Sequence, residues 1–506
     1  MRRVAVYIIL LCVAAGIGCC RGHFSDISQR STAVDRLPSM RPDYNGVKVP
    51  PNIGPLNFVI GERGSAFFVR ISSTSGTPID LFAPGPRVVI PQKKWAALLS
   101  NNAGKPLHID VFARNKGAWS RYKTVEDSIA FEKIDPYLVY RTLSVLYNFS
   151  RDLCIYQRDL ETNRESEVLN ARNFFPGCCN CHTLCNNDPS RAMFHVRTQD
   201  LGNSALVVEN GAITKINTKL GYSSWHPSGK LAVCSLNKIN QCFHAAWRDL
   251  RDAFDLTSGL VVYDAVKHSV VTVPQIYKEE ELETWPCWAP DGKYLYFSSA
   301  PVPWKDFKTV PPPGLEKLRY NLMRISYDEK TGTWGDPEVV LSSETTGLSI
   351  TQPRVSPDGK FVLFCMHRYG PSPYLQHSSD LYLMNLSTRA YLPLSANSGF
   401  SESWHTWSSN GRWIAFTSKR DGGILARIYL CRIDAAGASS KPFIMPQADP
   451  EFYDSFIKVY NVPEFSTARF TVPERKLVDA IKSSKKIDVK MPVTGATPVR
   501  TKVKAE

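Results

Sequence analysis

The chain has 506 residues, of which 43% are hydrophobic and 21% charged, the proportions of an ordinary folded protein. This length exceeds that of one usual domain, so we expect a large core and two domains. Aromatic residues make up 11% and favour a strand-rich fold. The formal net charge is +14, but the basic residues are spread along the chain without a basic helix or an RNA-binding signature. The pattern therefore argues against a nucleic-acid partner and favours an anionic neighbour in a cell envelope.

The first residues are typical of an export signal. Two arginines precede an apolar run at 4–18 that is short for a membrane span, which predicts a signal peptide over 1–18. Cys19 follows a Gly-Ile-Gly run that resembles a lipobox, so Cys19 is a candidate lipidation site that would anchor the protein to a membrane. Ordinary signal cleavage and an uncleaved anchor are the alternatives. The expected location is the periplasm or, for a lipoprotein, the outer membrane.

Two segments precede the repeats that are described next. Residues 19–48 are polar, with scattered Pro and Ser, and are interpreted as a tether. Residues 49–135 contain short runs of β-branched and aromatic residues between turn residues, which predict a small β-sandwich-like domain. We also expect a helical turn near 94–99 and a connecting helix at 134–146.

A turn motif that occurs four times predicts the main architecture. Each copy has an aromatic or apolar lead-in, a Pro-Asp-Gly-type turn and an apolar strand, with the glycines at Gly229, Gly292, Gly359 and Gly411. Proline presets φ, Asp or Asn bonds its own backbone and glycine takes the positive-φ position, so each copy predicts a tight hairpin. Two less regular copies precede these four. We therefore predict an all-β fold with a six-bladed β-propeller over 136–466, with five or seven blades as the alternatives.

The chain after the repeats turns polar and basic. Residues 467–506 contain many lysines and few apolar residues. This composition predicts a basic, disordered tail.

Four of the 13 cysteines are crowded into residues 178–185, which indicates a site. The motif C-x-x-C-H starts at Cys178; in such motifs two thiols add to the vinyl groups of haem and the adjacent histidine ligates the iron. The predicted cofactor is therefore haem c, held by Cys178, Cys181 and His182 in a segment at 176–197. Export agrees with this hypothesis, because c-type haem is attached outside the cytoplasm.

Several points about this site stay open. A sixth iron ligand would be Met193 or His195, although a Met or His beside a Phe more often packs in a core. The cysteines could instead form disulfides, but their close spacing strains most pairings. They could also form a zinc knot with His182 as a metal ligand, but the second paired cluster of structural zinc sites is missing.

A resemblance to a known family rests on the C-x-x-C-H motif, Asn187-Asp-Pro189, Met193-Phe-His195, Trp225-His-Pro-Ser-Gly229, Phe243-His244, Asp264, Ser403-Trp-His-Thr-Trp-Ser408, Arg412-Trp413, Ser418-Lys-Arg420, Asp454-Ser-Phe456 and Tyr460-Asn-Val-Pro-Glu-Phe465. With these residues, the chain from about 50 to 466 resembles exported TolB-type propeller proteins of Bacteroidetes and related bacteria, often labelled as cytochrome c biosynthesis or TolB-like proteins. The resemblance implies a TolB-like propeller and export, and it implies no established activity. Cys179 and Cys185 are additional thiols relative to the family pattern.

No enzyme signature occurs in the chain: it has no G-x-S-x-G elbow, P-loop, dinucleotide fingerprint or H-E-x-x-H helix. His226, His244, His367 and His405 could gather at a propeller mouth, with His226 and His405 in equivalent positions, although packing is the commoner role. Two hypotheses therefore stand. The first is an envelope redox protein with an electron-transfer partner. The second is a non-enzymatic module that binds or assembles envelope proteins, in which the cysteines are structural.

Overall fold

The structure is a computed structural model that describes residues 24–145, 152–218, 220–244, 249–304 and 311–488. The predicted signal peptide and Cys19 therefore lie outside the described residues. No helix in these ranges is both long and apolar enough to cross a membrane. The chain divides into two compact units: unit 1 comprises Met1–Ile134, Leu160–Arg164 and Phe443–Phe456, and unit 2 comprises Asp135–Asp159, Glu165–Pro442 and Ile457–Glu506.

Unit 1 contains a seven-stranded and a three-stranded sheet. The elements are α1 (Phe24–Gln29), β1 (Ser31–Val34), β2 (Met40–Arg41), β3 (Lys48–Val49), β4 (Phe58–Ile60), β5 (Ala66–Ser73), β6 (Ile79–Ala83), β7 (Arg87–Val88), α2 (Gln92–Ser100), β8 (Pro106–Asn115), β9 (Ala118–Tyr122) and β10 (Val125–Ile129). The larger sheet runs β1-β9-β8-β10-β3 and adds β5 and β6 through β8, while the smaller runs β2-β4-β7.

The predicted tether is part of unit 1 from residue 24 onward. β1 pairs with β9 and β3 pairs with β10, so both belong to the larger sheet. Ile27 of α1 is buried against Phe68 and Phe112. The polar composition of this segment concealed the few apolar residues, such as Ile27, that attach it.

Unit 2 begins with three antiparallel sheets made of strands that follow one another in the chain. The first contains β11 (Tyr137–Leu143), β12 (Cys154–Asp159) and β13 (Glu165–Asn170); the second contains β14 (Gly177–Cys185), β15 (Asp188–Thr198), β16 (Gly202–Glu209) and β17 (Ala212–Asn217); the third contains β18 (Ser223–Trp225), β19 (Leu231–Phe243), β20 (Arg251–Asp264) and β21 (Ser269–Thr272). The predicted connecting helix at 134–146 is thus wrong, because β-branched and aromatic residues there form β11 instead.

Three more groups of antiparallel strands follow, and a single parallel bridge between Ser258 and Leu282 joins the fourth to the third as one nine-stranded sheet. The fourth contains β22 (Glu281–Trp288), β23 (Tyr294–Pro301), β24 (Asn321–Asp328), β25 (Thr333–Trp334) and β26 (Glu338–Leu341); after α3 (Ser343–Thr346), the fifth contains β27 (Ser349–Val355), β28 (Phe361–His367), β29 (Asp380–Asn385) and β30 (Tyr391–Pro393); the sixth contains β31 (Glu402–Trp407), β32 (Trp413–Ser418) and β33 (Arg427–Arg432). The chain then passes through unit 1 as β34 (Phe443–Ile444) and α4 (Phe452–Ser455) and returns as β35 (Val459–Ser466).

The innermost strands of these sheets form a closed ring. β35 pairs with β11 and so becomes the inner strand of the first sheet. Neighbouring inner strands contact each other in the order β35, β14, β18, β22, β27 and β31, and β31 contacts β35 again. Consecutive antiparallel sheets around a ring, closed by a strand from the far end of the chain, are the arrangement of a β-propeller. The all-β prediction is confirmed.

The four repeated glycines occupy equivalent turns. Gly229, Gly292, Gly359 and Gly411 each lie between the first and second strand of a sheet, with φ of 69°, 68°, 70° and 65°. Each glycine amide donates to the carbonyl three residues earlier, at 2.8–3.0 Å. The turn interpretation of the repeat is therefore confirmed.

Residues 467–488 correct the predicted disordered tail. They contain α5 (Glu474–Lys482) and β36 (Ile487–Asp488), and β36 pairs with β17. Leu477, Val478 and Ile481 lie on one face of α5 and are buried in the core between the first and second sheets. Residues 489–506 lie outside the described residues.

Candidate functional site

A cavity of about 270 Å³ lies beside the axis of unit 2, next to the first three sheets. We name it the arginine cavity, because Arg141 of β11, Arg197 of β15 and Arg251 of β20 all line it. No Asp or Glu is among the described residues that line this cavity. The charged side chains that line the cavity are therefore all cationic.

Arg141 is one of the two buried cations of the cavity, with Arg251 as the other. Arg141 is 8% exposed, it makes no ion pair with a described residue, and its Nε has no hydrogen-bond partner there. The Nε of Arg197 is likewise buried without a partner among the described residues. Arg251 donates from Nη1 to Oε1 of Gln241 at 3.1 Å. Buried polar groups in folded proteins are normally hydrogen-bonded, so the Nε atoms of Arg141 and Arg197 make this cavity a candidate binding site.

Regular strand alternation places Arg141 in the cavity. β11 pairs with β12 without a register shift, so Arg141 and Leu143 point to the same face of the strand, and both line the cavity. The register shift between β11 and β35 adds its extra residue to β35, opposite Tyr140.

Four inner strands carry equivalent bulges, and Trp404 in one of them lines the arginine cavity. Trp285, Gln352, Trp404 and Val462 all have positive φ, of 55°, 55°, 49° and 48°. Such values are costly for bulky residues and persist only where surrounding packing enforces them. Trp285, Trp404 and Val462 form one buried cluster at the axis, against which Tyr222 packs. The axis beside the arginine cavity is therefore packed with apolar and aromatic side chains.

His195, Cys178 and Cys181 also line the cavity and carry no charge at neutral pH. Burial lowers the pKa of His195 to about 3, and its Nε2 lies 3.0 Å from Oγ of Ser223. Burial raises the pKa of Cys178 and of Cys181, and nearby arginines oppose the rise only in part. The thiols are thus protonated and weakly nucleophilic. The cavity can hold an anion, and its charge comes from arginine alone.

The C-x-x-C-H motif lies on β14, where the register against β15 shifts between Cys179 and His182. Cys178 and Cys181 both line the arginine cavity. Cys179 is fully buried in the core between the first and second sheets, and Cys185 is buried between the second and third. All four cysteines are free thiols. Neither a disulfide nor a zinc knot joins them, because the strand distributes them over three environments.

His182 and Met193 do not reach the arginine cavity. His182 is 3% exposed and lines a separate cavity of about 40 Å³ with Glu464, whose Oε2 is 3.9 Å from the Nε2 of His182. Burial lowers the pKa of His182 to about 3. Met193 is fully buried between the second and third sheets. Of the two suggested sixth ligands, only His195 lines the cavity with the two thiols.

These positions decide whether the residues fit a c-type haem. Two thioethers need both thiols at one edge of the porphyrin and the adjacent histidine over its face. Cys178 and Cys181 meet the first requirement, and His182 does not meet the second, because it faces another cavity. The arginine cavity is also at the lower end of the volumes that hold drug-sized ligands. The residues do not fit haem in this arrangement.

Comparisons with known proteins give distant similarities only. No family model matches the chain, and no curated protein sequence matches it. TolB from Acinetobacter baumannii has a TM-score of 0.41 at 12% identity, over 84% of this chain and 98% of that one. An oligogalacturonate lyase from Vibrio parahaemolyticus has 0.34 at 12%, over 74% and 100%. Hydrazine synthase from Kuenenia stuttgartiensis has 0.32 at 11%, over 65% and 74%. The fold assignment above rests on strand order alone.

A second cavity, of about 350 Å³, lies at the other end of the inner strands. Trp225, Trp288 and Trp407 of the repeated motif line it, together with Arg354 and Glu464. Because both a cation and an acid line this second cavity, it lacks the purely cationic lining of the arginine cavity. The arginine cavity is therefore the stronger candidate for a functional site.

The sequence did not reveal the arginines of the site. They belong to three different strands and to no motif; the one signal was the two-residue spacing of His195 and Arg197, which places both on one face of β15.

The histidine hypothesis was wrong in one respect: His226 lies in a turn after β18, whereas His405 lies in the bulge of β31, so they are not equivalent. His226 forms hydrogen bonds with the hydroxyl of Ser228 and the carbonyl of Gly292, and His405 forms one with the carbonyl of Leu363. Both histidines therefore have structural roles.

Proposed function

We propose that the protein is a binding module whose ligand is a small organic anion held in the arginine cavity. The observation that carries this proposal is Arg141, a buried guanidinium with no ion pair among the described residues. Burying a charge without a partner lowers the free energy of unfolding by roughly several kcal/mol, even after the surrounding protein relaxes. A resident anion, or water when it is absent, would relieve that cost.

The chemistry of the lining narrows the ligand class. A guanidinium presents a planar fork of donors that matches a carboxylate or a phosphate, and two such groups can hold both oxygens. Tyr222, Tyr374 and Trp404 add aromatic surface to the same cavity. We therefore favour a small carboxylate with one flat apolar face, of which benzoate is a simple probe.

The fold and location belong to the same proposal. The ring of six inner strands supports a six-bladed propeller, and the two sheets of unit 1 support a small β-sandwich-like partner domain. The apolar run at 4–18 and Cys19 support export and a lipid anchor in the periplasm or outer membrane. A ligand-binding module of this kind would act with other envelope proteins rather than as an enzyme.

Thermal unfolding in the presence of ligands tests the proposal. Benzoate at about 100 times its Kd should stabilise the folded state by about 2.7 kcal/mol, which raises Tm by several degrees. Benzamide, which has the same shape without the charge, should have no effect. Inorganic phosphate and sulfate distinguish a general anion site from a carboxylate site. If no anion in this panel raises Tm more than its neutral analogue, the proposal is wrong.

A further inference from the structure

The hairpin of β19 and β20 carries a second cluster of reactive side chains. These are the longest strands of the second unit, with 13 and 14 residues. The pairing still holds near the tip, where Cys242 is opposite Asp252, and the amide of His244 donates to the carbonyl of Leu250 at 3.0 Å. The backbone around these residues is therefore regular.

Strand geometry brings three metal-binding side chains to one face of this hairpin. Cys242 lies near the end of β19 and His244 directly after it; because the cross-strand pairing continues through His244, the two side chains point to the same side. Asp252 is the cross-strand neighbour of Cys242 and joins them. The ligand atoms of the three residues lie within 4.8 Å of one another, and Nε2 of His244 is 2.9 Å from Oδ2 of Asp252.

The opposite face of the hairpin belongs to the arginine cavity. Gln241 and Arg251 alternate with Cys242 and Asp252 along the strands and line that cavity. The cluster and the cavity are thus separate sites on the two faces of one hairpin. An ion on one face would hold the backbone that supplies side chains to the other.

A neighbouring sheet supports the cluster. Tyr369, from the segment after β28, donates from its hydroxyl to Oδ2 of Asp252 at 2.8 Å. Cys242 and Tyr369 both pack against one buried apolar cluster beside the hairpin. Metal-ligating carboxylates are commonly oriented by a further hydrogen bond of this type.

We propose that Cys242, His244 and Asp252 form a Zn²⁺ site with water as the fourth ligand. A sulfur, an imidazole nitrogen and a carboxylate oxygen are the donors that zinc accepts in tetrahedral sites. Two ligands at about 2.0 Å from a tetrahedral ion are roughly 3.3 Å apart, so the His244 and Asp252 atoms need to separate by only a few tenths of an ångström. Binding would replace the hydrogen bond between them with two bonds to the metal.

Metal analysis of the whole protein tests this site without reference to the anion proposal. Chelator-treated protein is reconstituted with Zn²⁺ or Co²⁺, desalted and analysed for metal content and visible absorption. We expect one metal ion per chain, and for Co²⁺ a thiolate charge-transfer band together with the intense bands of tetrahedral cobalt. Cys242→Ser should abolish the charge-transfer band, and His244→Ala should weaken Zn²⁺ binding at least about 100-fold.

Two further variants make the outcome decisive. Cys178→Ser, a half-buried thiol outside the cluster, should keep full metal content, and Tyr369→Phe should weaken binding by about 10-fold, because it removes only the supporting hydrogen bond. Should Cys242→Ser not fold, Asp252→Asn replaces it. Wild-type protein that retains no metal, metal binding that persists in both Cys242→Ser and Asp252→Asn, or metal that is lost in Cys178→Ser instead would overturn the proposal.

Discussion

Tyr222 and Trp285 stack at the axis of unit 2, with ring centroids 3.5 Å apart and 16° between their planes. Trp404 contacts the edge of the same pair, with its centroid 5.2 Å from that of Trp285. These rings close the channel that the inner strands would otherwise leave open. Tyr222 and Trp404 thus belong both to this aromatic cluster and to the lining of the arginine cavity.

The axial position of Trp285 predicts an unusual order of stabilities. Trp285→Ala should lower the free energy of unfolding by about 3–5 kcal/mol, because a fully buried ring is lost. Trp285→Gly should be less destabilising than Trp285→Ala by about 1 kcal/mol, since glycine accepts the φ of 55° without strain. Urea unfolding of both variants checks this. The usual order, with alanine more stable than glycine, would show that the backbone at Trp285 is not strained.

Arg141 predicts a conflict between stability and binding. Arg141→Met keeps much of the side-chain volume and removes a buried charge without an ion pair among the described residues. It should leave the free energy of unfolding unchanged or raise it by about 1–3 kcal/mol in anion-free buffer. Arg324→Met, which removes a pair with Glu338 at the surface, should change it by less than about 1 kcal/mol. A loss of more than about 1 kcal/mol for Arg141→Met would mean that Arg141 is structural.

Glu464 predicts a stability that depends on pH. Burial raises its pKa from 4.5 to about 7. The folded state therefore holds the proton more tightly than the unfolded chain. The stability that this group contributes is complete below about pH 4.5 and is lost as pH rises through 7, by about 3 kcal/mol in total. In Glu464→Gln that dependence should disappear.

The measurement is chemical unfolding of wild type and Glu464→Gln from pH 5 to pH 8. The difference between the two curves should grow with pH in favour of the variant, whereas Glu279→Gln, at an exposed surface position, should follow wild type. A difference that is constant across this range would contradict the assignment of a raised pKa to Glu464.

The position of His182 predicts a colourless protein. If the chain is exported in a host that matures c-type cytochromes, beside a control cytochrome that acquires haem, it should show no covalent haem absorption. Its four thiols in 178–185 should be free, with Cys178 reacting with a thiol reagent before the fully buried Cys179. Covalent pigment that is lost in Cys178→Ala with Cys181→Ala would instead establish the redox hypothesis and require His182 to turn.

The sequence predicted the propeller well and the site poorly. Turn chemistry is local, so four glycines sufficed to locate the repeated hairpins and their sheets. The prediction of a disordered tail was wrong for residues 467–488, because three apolar residues on one face of α5 are enough to attach a polar segment. The closing strand β35 could not be deduced from local pattern, since its partner β11 lies more than 300 residues away in the chain.

The candidate site depends on features that motifs do not record. The C-x-x-C-H spacing correctly directed attention to β14, and the bulge there places Cys178 and Cys181 in one cavity but turns His182 away. The charge of the cavity arises where β11, β15 and β20 meet, which only the fold determines. Residues of three strands with no shared spacing cannot be recognised as one site from the sequence.

Calorimetric titration of benzoate into the protein tests the central claim most directly, with benzamide as the uncharged probe and Arg141→Met as the variant. We predict saturable binding of one benzoate per chain to wild type, no detectable heat with benzamide, and at least a tenfold loss of benzoate affinity in Arg141→Met, in keeping with the loss of about 1.4 kcal/mol or more from a charge-assisted hydrogen bond. Equal affinity of wild type and Arg141→Met for benzoate, or equal binding of benzoate and benzamide, would contradict a ligand held by the buried arginine.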